Sequence, residues 1–384
     1  MGSESSPAEL EAIDTCGTQR ARRQESTMER WPSHTRMCSH STVAVSDYEI
    51  RAATLEHHAS LCELARHLDT VNLPNDPKML EALLTTSERS FRREIVDPRR
   101  REYVFVLWDH QADRAVGTSM LIGQLGRRDA PYIYFDVRRE EKYSATLDRL
   151  FAHTILTTCY SYEGPTEIGG LVVDPACRRL PDRLGTLISY VRFLFIAMRR
   201  ADFLDEVLAE LLPPLESDGT SHLWEAVGRR FTGLSYRDAD RLSKNNKEFI
   251  RGLFPDQIYA TLLSPEAQQM IGAVGEHTRG VEKLLRRIGF SYADRVDPFD
   301  GGPHFTCPTD DISLVKNSAE VVVELIGANQ PQPTELVARQ MPDPPYFVAN
   351  TANRTPSGGA HLSEAAADRL GVTYGDRLWT LPIR

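Results

Sequence analysis

The sequence predicts an α+β fold, in which a mixed sheet is flanked by helices and followed by a small C-terminal β segment. The run Tyr103–Trp108 consists of aromatic and apolar residues, which is typical of a buried strand. Residues 167–212 follow the order strand, loop, long helix, strand, and such a crossover predicts parallel or splayed neighbouring strands. The tail 346–384 has strand-like stretches at both ends.

The composition limits the classes of function. Of 384 residues, 41% are hydrophobic, which is enough for a sizeable core. The net charge of −9 argues against nucleic acid as the main partner, because phosphate binding needs a surplus of Lys and Arg. No apolar run approaches the roughly 20 residues of a membrane span, so no membrane partner is expected. The six cysteines are scattered without a CxxC pair, which favours a reducing cytoplasm and no metal cluster.

Changes in composition divide the chain into four parts. Residues 1–47 are polar without a sustained period, which predicts a disordered N-terminal extension. Residues 48–326 hold the main domain. Residues 327–345 are rich in Pro and Gln, which predicts a linker, and 346–384 form the small β-rich segment.

Apolar spacing and turn residues place the other elements. Leucines recur at helical spacing in 54–70. Ser264 followed by Pro265 is typical of a helix start, and Gly289 is placed to end a helix before a strand that begins at Phe290. The sequence predicts helices near 54–70, 77–92, 184–200, 221–231, 244–253, 264–274 and 278–288, and further strands at 115–125, 132–137 and 206–212.

The loop between the strand ending at Val173 and the long helix has the features of an anion site. Free N–H groups at a helix N-terminus and the helix dipole both favour a negative ligand. The loop carries Arg178, Arg179 and Arg183, and Gly185 lies in the first turn of the helix. These features suit a pyrophosphate, although a solvated basic loop explains the arginines equally well on the residues alone.

Val173-Asp174-Pro175, with Arg178 three residues after the proline, resembles the coenzyme A loop of the GCN5-related acyltransferase superfamily, as does Leu284–Phe290 before a late strand. A closer resemblance is to the bacterial arginine N-succinyltransferase family, over roughly residues 48–384. Its motifs here, in family order, are Tyr103–Leu107, Leu171–Pro175, Arg192–Ala197, Gly228–Phe231, Ile258-Tyr259, Leu263–Gln268 and, most specific, Phe299–Pro303.

The resemblance implies a reaction in arginine catabolism. Succinyl-CoA, as co-substrate, would give its succinyl group to the α-amine of L-arginine, without a metal. The family pattern places an acyl-CoA contact at Leu171, and a backbone N–H of this strand would stabilise the developing oxyanion. A homodimer or a paired-subunit oligomer is also implied. The candidate coenzyme A positions are Leu171, Val172, Val173, Arg178, Arg179, Gly185 and Thr186.

Two positions depart from the family pattern. The coenzyme A loop is two residues longer here, and Gly185 matches the second family glycine while the first has no counterpart. The family's proton donor is a histidine followed by proline, but Gly275 occupies that register and His277 lies two residues further on. His277 is therefore the candidate catalytic residue, since neutral imidazole is a good proton shuttle. A surface histidine beside the next helix is the alternative.

Two further side chains lie near the end of the main domain. Asp300 is the candidate substrate-binding residue, because a carboxylate is the natural partner of a guanidinium. A turn-forming aspartate before two glycines explains it equally well. His304 is isolated in the sequence, and no metal site is visible.

Three functions fit these features. An arginine succinyltransferase comes first, a related acyltransferase with another amine or acyl donor second, and a non-catalytic partner subunit with the same fold third. The missing histidine and the altered glycine loop favour the third function. The Phe-Asp-Gly-Gly-Pro block and the basic loop favour the first two.

Overall fold

The fold is described from a computed structural model, which covers residues 47–66, 73–127, 130–178, 180, 183–216, 219–243, 246–328 and 332–383. The predicted N-terminal extension, residues 1–47, lies outside this range except for its last residue. Among the described helices, none combines the length and apolarity needed to cross a bilayer.

Hydrogen bonds link fifteen described strands in the order β12-β15-β11-β14-β13-β1-β2-β3-β6-β7-β10-β9-β4-β5-β8. Together with the helices packed on them, they confirm the predicted α+β class. The strands are β1 (Tyr48–Ala52), β2 (Glu102–Asp109), β3 (Arg114–Ile122), β4 (Tyr132–Ser144), β5 (Arg149–Ser161), β6 (Thr166–Val173), β7 (Glu206–Glu210), β8 (Gln257–Tyr259), β9 (Ser291–Val296), β10 (Pro303–Pro308), β11 (Ala319–Ile326), β12 (Glu335–Gln340), β13 (Phe347–Arg354), β14 (Ala360–Leu362) and β15 (Arg377–Pro382).

Helices lie on both faces of this sheet. They are α1 (His58–Ala65), α2 (Pro77–Phe91), α3 (Leu184–Met198), α4 (His222–Ala226), α5 (Gly228–Thr232), α6 (Tyr236–Ser243), α7 (Glu248–Leu253), α8 (Pro265–Met270), α9 (Arg279–Arg287), α10 (Ser313–Lys316) and α11 (Glu364–Leu370).

The main core forms around α3, whose apolar residues are buried against the sheet. Phe195 is fully buried at its centre. Its ring centroid lies 4.8 Å from that of Tyr103, 5.4 Å from that of Phe105 and 5.4 Å from that of Phe347. One aromatic cluster therefore joins α3 to β2 and to the C-terminal strands.

The strands β6 and β7 are parallel but pair only briefly. Their paired residues are Thr166 with Val207 and Glu167 with Leu208. On its other side, β6 continues to pair with β3 as far as Val173. A notch therefore opens between β6 and β7 towards their C-terminal ends, and the predicted strand–helix–strand crossover with splayed strands is confirmed.

Gly170 lies in this unpaired half of β6 and has a φ of +56°. The pairing of β6 with β3 shifts register there, between Thr118 and Met120. A Cβ atom at residue 170 would lie 3.0 Å from Met120 Cγ, so a glycine suits both the backbone and the space. The bulge bends β6 where the notch opens.

The structure differs from the prediction at the β4–β5 hairpin. The predicted third strand, 132–137, continues to Ser144 and pairs with β5, which the sequence did not indicate. The charged residues 138–142 face outward on this extension, so no apolar alternation marks it. The predicted helix 221–231 is also divided, into α4 and α5, at Val227.

The C-terminal strands close into a ring, because β12 pairs with both β15 and β13 while β11 joins β15 to β14. The strand β12 lies inside 327–345, where the sequence predicts a linker. It forms because Leu336, Val337 and Ala338 are buried in the ring and the core. The small β-rich segment thus gains β11 and β12, and β13 attaches it to β1.

Phe195→Ala is expected to lower the free energy of unfolding by about 3–5 kcal/mol, because it leaves a cavity among five aromatic rings. Urea denaturation of the purified protein measures this change. Tyr374→Ala is the control, since Tyr374 is 77% exposed and its loss should cost less than about 0.5 kcal/mol. Equal losses in the two variants would contradict this account of the core.

Candidate active site

The loop after β6 is held by polar contacts at its start. The Asp174 side chain accepts hydrogen bonds from Ala176 N at 2.9 Å and from Arg114 Nη2 at 2.8 Å. Arg178 Nε donates to Val173 O at 2.9 Å, and the rest of this side chain is exposed. One basic group is therefore fixed at the end of β6. Arg179, the other predicted basic residue, lies outside the described residues.

The first turn of α3 has two amides without an acceptor among the described residues. Thr186 N and Leu187 N donate to Arg183 O at 2.7 and 3.2 Å. Among the described residues, no acceptor receives the amides of Leu184 or Gly185. A Cβ at Gly185 would have Val173 Cγ2, at 3.9 Å, as its nearest neighbour, so the space beside it is open. The structure thus brings Arg178, Gly185 and Thr186 to one end of the notch.

The predicted residues at the end of β6 differ in their surroundings. Val172 packs with α1 and α2, whereas Val173 packs with α3 on the other face. Leu171 is half-buried and touches the same core as Val173. The valine side chains are thus committed to packing, and the edge of β6 that faces the notch offers mainly backbone.

His277 lies on an exposed turn just beyond the end of β7. The turn is tethered there because Gly275 N and Thr278 Oγ1 each donate to Leu212 O at 2.9 Å. A Cβ at residue 275 would lie 2.9 Å from the carbonyl oxygens of both Leu212 and Pro213. The family's histidine therefore does not fit at position 275 on this backbone.

Asp300 is buried and makes the contacts of a turn residue. Its Oδ1 accepts from Gly302 N at 2.8 Å, and Tyr236 Oη donates to Oδ2 at 3.4 Å. Burial, followed by the charge of Asp297, raises the pKa of Asp300 well above its usual value. Asp300 therefore shapes the turn and adds a carboxyl group to a buried polar region.

The histidine that looks isolated in the sequence is part of a cluster. His304 is fully buried on β10, and its Nδ1 lies 2.7 Å from Tyr132 Oη. Its Nε2 lies 3.4 Å from Glu210 Oε1. One ligand atom each from Glu210, Asp297 and His304 lie within 4.8 Å of one another. Only the pairing of β7 with β10 reveals this cluster, because it sets His304 opposite Glu210.

The cluster has unusual electrostatics. Burial raises the pKa of Glu210, and burial with the neighbouring Glu210 raises the pKa of Asp297 to about 6. Burial lowers the pKa of His304 to about 4, against the opposing effect of Asp297. At neutral pH the cluster therefore combines a neutral histidine with acidic groups and suits a cationic ligand. These donor types could also hold a metal ion, so the absence of a metal stays a prediction.

The family model for the arginine N-succinyltransferase beta subunit matches residues 48–314, which include the loop after β6 and the cluster. The chain belongs to the arginine N-succinyltransferase family. A family member from Yersinia pestis (strain Pestoides F) is 32% identical over 279 residues, which cover 72% of this chain and 79% of that protein. The beta subunit from Pseudomonas aeruginosa is 30% identical over 343 residues, which cover 87% of this chain and 98% of that subunit.

A solved structure supports the same assignment. Arginine/ornithine succinyltransferase subunit AI from Pseudomonas aeruginosa matches with a TM-score of 0.75 at 27% identity, covering 88% of this chain and 99% of that chain. The succinyltransferase fold expected from the sequence is thereby confirmed over nearly the whole length of that subunit.

Gly185→Ala tests the candidate pyrophosphate site at the first turn of α3. Alanine fits the open space and favours the helix by up to about 1 kcal/mol, so thermal stability should stay the same or rise. If a pyrophosphate approaches the backbone there, the added methyl should raise the KM for the acyl-CoA several-fold. Steady-state kinetics and a thermal melt measure the two effects. An unchanged KM would show that Gly185 is not part of the pyrophosphate site.

Proposed function

We propose that this chain is an arginine N-succinyltransferase, which transfers the succinyl group of succinyl-CoA to the α-amine of L-arginine. Family membership over residues 48–314 is the observation that carries the proposal. The reaction belongs to arginine catabolism, and we place it in the cytoplasm. The catalytic part corresponds to the predicted domain 48–326.

The acyl donor is proposed to enter through the notch between β6 and β7. Its pyrophosphate would lie at the start of α3, near Arg178, Gly185 and Thr186, with Arg179 as a further basic contact. The amides of the first turn that lack an acceptor among the described residues, together with the helix dipole, support this position. The thioester carbonyl would then reach the strand Leu171–Val173, where a backbone N–H would stabilise the oxyanion.

The acceptor is proposed to bind at the carboxyl groups around His304, of which Asp300 is buried and Glu210 is partly exposed. Glu210, Asp297 and Asp300 lie close together, and burial raises the pKa of each carboxyl. A cationic ligand would offset this burial and favour the ionised carboxylates. Arginine carries an ammonium and a guanidinium, so its chemistry complements the cluster, with Asp300 as a candidate partner of the guanidinium.

We keep His277 as the proposed donor of a proton to the leaving thiolate. Its turn is tied to Leu212, two residues beyond Glu210, which supports a position beside the notch. The free thiol has a pKa of about 8.5, so the thiolate is a fair leaving group and the required assistance is modest.

His277→Ala should therefore lower kcat by about 10-fold or more, with little change in the KM for either substrate. His361→Ala is the control, since His361 lies in the C-terminal ring on β14 and should leave kcat unchanged. Full turnover of His277→Ala would remove this histidine from the mechanism.

The proposed function as a whole is tested by thiol release. Succinyl-CoA is compared with acetyl-CoA, and arginine with ornithine and lysine, at equal enzyme concentration. We expect succinyl-CoA with arginine to give the highest kcat/KM. A higher value for another pair would change the proposed substrates. If calorimetry detects no binding of succinyl-CoA and no amine releases thiol, the enzymatic proposal fails.

A homodimer or a paired-subunit assembly is also proposed. Both Pseudomonas aeruginosa relatives are named as subunits. In this chain, the outer part of the β4–β5 hairpin exposes the apolar side chains Tyr143, Leu147, Leu150 and Phe151. Such a concentration of exposed apolar surface is typical of an interface.

A further inference from the structure

The cluster of Glu210, Asp297 and His304 lies where the notch opens. The last β7 residue paired with β6 is Leu208, and Glu210 follows two residues later at the end of the strand. His304 is the direct pairing partner of Glu210 on β10. The cluster is therefore level with the part of β6 that has separated from β7.

The cluster also faces away from α3. Val207 and Ala209 of β7 belong to the core around α3, as does Phe305 of β10. Successive side chains of a strand point to opposite faces, so Glu210 and His304 project from the other face of the sheet. An acyl-CoA bound at the start of α3 and an amino acid bound at the cluster would thus meet across the notch.

The two ring nitrogens of His304 differ in their hydrogen bonding. Tyr132 Oη lies 2.7 Å from Nδ1 and fixes the ring. Nε2 is completely buried, and its 3.4 Å contact with Glu210 Oε1 does not have hydrogen-bond geometry, so it has no hydrogen-bond partner within the described part of the chain. Buried polar atoms are nearly always paired, so this nitrogen, which lies beside two carboxyl groups, remains available to a ligand that brings a proton.

The groups around His304 come from each neighbouring element. They are Glu210 of β7, Arg295 of β9, Asp297 and Asp300 after β9, Tyr132 and Tyr134 of β4, and Lys247 before α7. The proposed step uses the tautomer in which Nδ1–H is donated to Tyr132 Oη and Nε2 carries the lone pair. The carboxylates of Glu210 and Asp297, which lie beside Nε2, would stabilise the imidazolium once it forms.

We propose that His304, held by Tyr132 and flanked by Glu210 and Asp297, takes the proton from the α-ammonium group of the acceptor amino acid. This inference rests on the proposed function and adds the base that the reaction requires. His277, on its exposed turn, would act in a separate step and donate a proton to the leaving thiolate. No histidine fits at position 275.

The step balances as follows. The lone pair of His304 Nε2 accepts one ammonium proton, and the neutral amine attacks the thioester carbonyl. A C–N bond forms, the C–S bond breaks, and the thiolate of coenzyme A takes up a proton from His277 or water. The amide nitrogen loses its remaining extra proton to solvent. Glu210, whose side chain is 35% exposed, provides the route by which the imidazolium returns its proton.

His304→Gln is the main test, because glutamine keeps a polar side chain of similar size but accepts no proton at neutral pH. We expect kcat/KM for arginine to fall about 100-fold near neutral pH. The difference in kcat/KM between His304→Gln and wild type should shrink as the pH rises through the pKa of the substrate ammonium, since the amine then loses its proton unaided. The affinity for coenzyme A, measured by calorimetry, should not change. His153→Gln, on β5, is the matched control and should behave as wild type.

Glu210→Gln is a second variant that removes a charge from a partly exposed side chain. It should keep the fold and lower kcat/KM about 10-fold, because the imidazolium loses a neighbouring negative charge. As with His304→Gln, the difference in kcat/KM from wild type should shrink at high pH. Together the two variants keep the test decisive if His304→Gln does not fold.

Several results would overturn the inference. Wild-type kinetics in both variants would do so, and so would a loss that is the same at every pH, which indicates a structural role. Loss of wild-type activity in a chelator, restored by a divalent cation, would make the cluster a metal site instead. If wild-type protein fails to succinylate arginine, the proposed function falls together with the inference. Normal wild-type turnover with insensitive variants overturns the inference alone.

Discussion

The separation of β6 from β7 after two paired residues is the constraint on which the rest of the site depends. Parallel strands that stayed paired would close the sheet and leave no passage between its faces. Here β6 remains bonded to β3 while β7 turns towards β10, and Gly170 accommodates the bend. In the proposed complex, an acyl donor in this opening would have backbone groups on one side and the cluster of Glu210, Asp297 and His304 on the other.

The apolar packing of α3 holds this opening in place. The aromatic cluster around Phe195 fixes the helix against β2 and against the C-terminal strands. Because the helix axis is fixed, its first turn is held beside the end of β6, where Arg178 is bonded to Val173 O. The proposed donor site therefore depends on side chains far from it, including Phe347 of the C-terminal ring.

The departures from the family pattern can be understood together. The turn at Gly275 packs so closely on Leu212 and Pro213 that it leaves no room for a side chain. Two other histidines lie near the notch. His277 lies on the exposed side of the same turn, and His304 lies beneath the sheet beside Glu210. In the proposed mechanism, the proton transfers are divided between this turn and the start of β10.

The sequence by itself determined the α+β class, the long helix α3, the loop after β6 and the family, because these depend on local apolar spacing and on ordered motifs. It also pointed to Arg178, Gly185 and Thr186, which are neighbours along the chain. It did not indicate the β4–β5 extension, whose charged residues show no apolar alternation, or β12 in a segment rich in Pro and Gln. Only the tertiary structure placed Glu210 beside His304, residues almost a hundred positions apart, since strand register brings them together. Register depends on the packing of the whole sheet and leaves no local mark in the sequence.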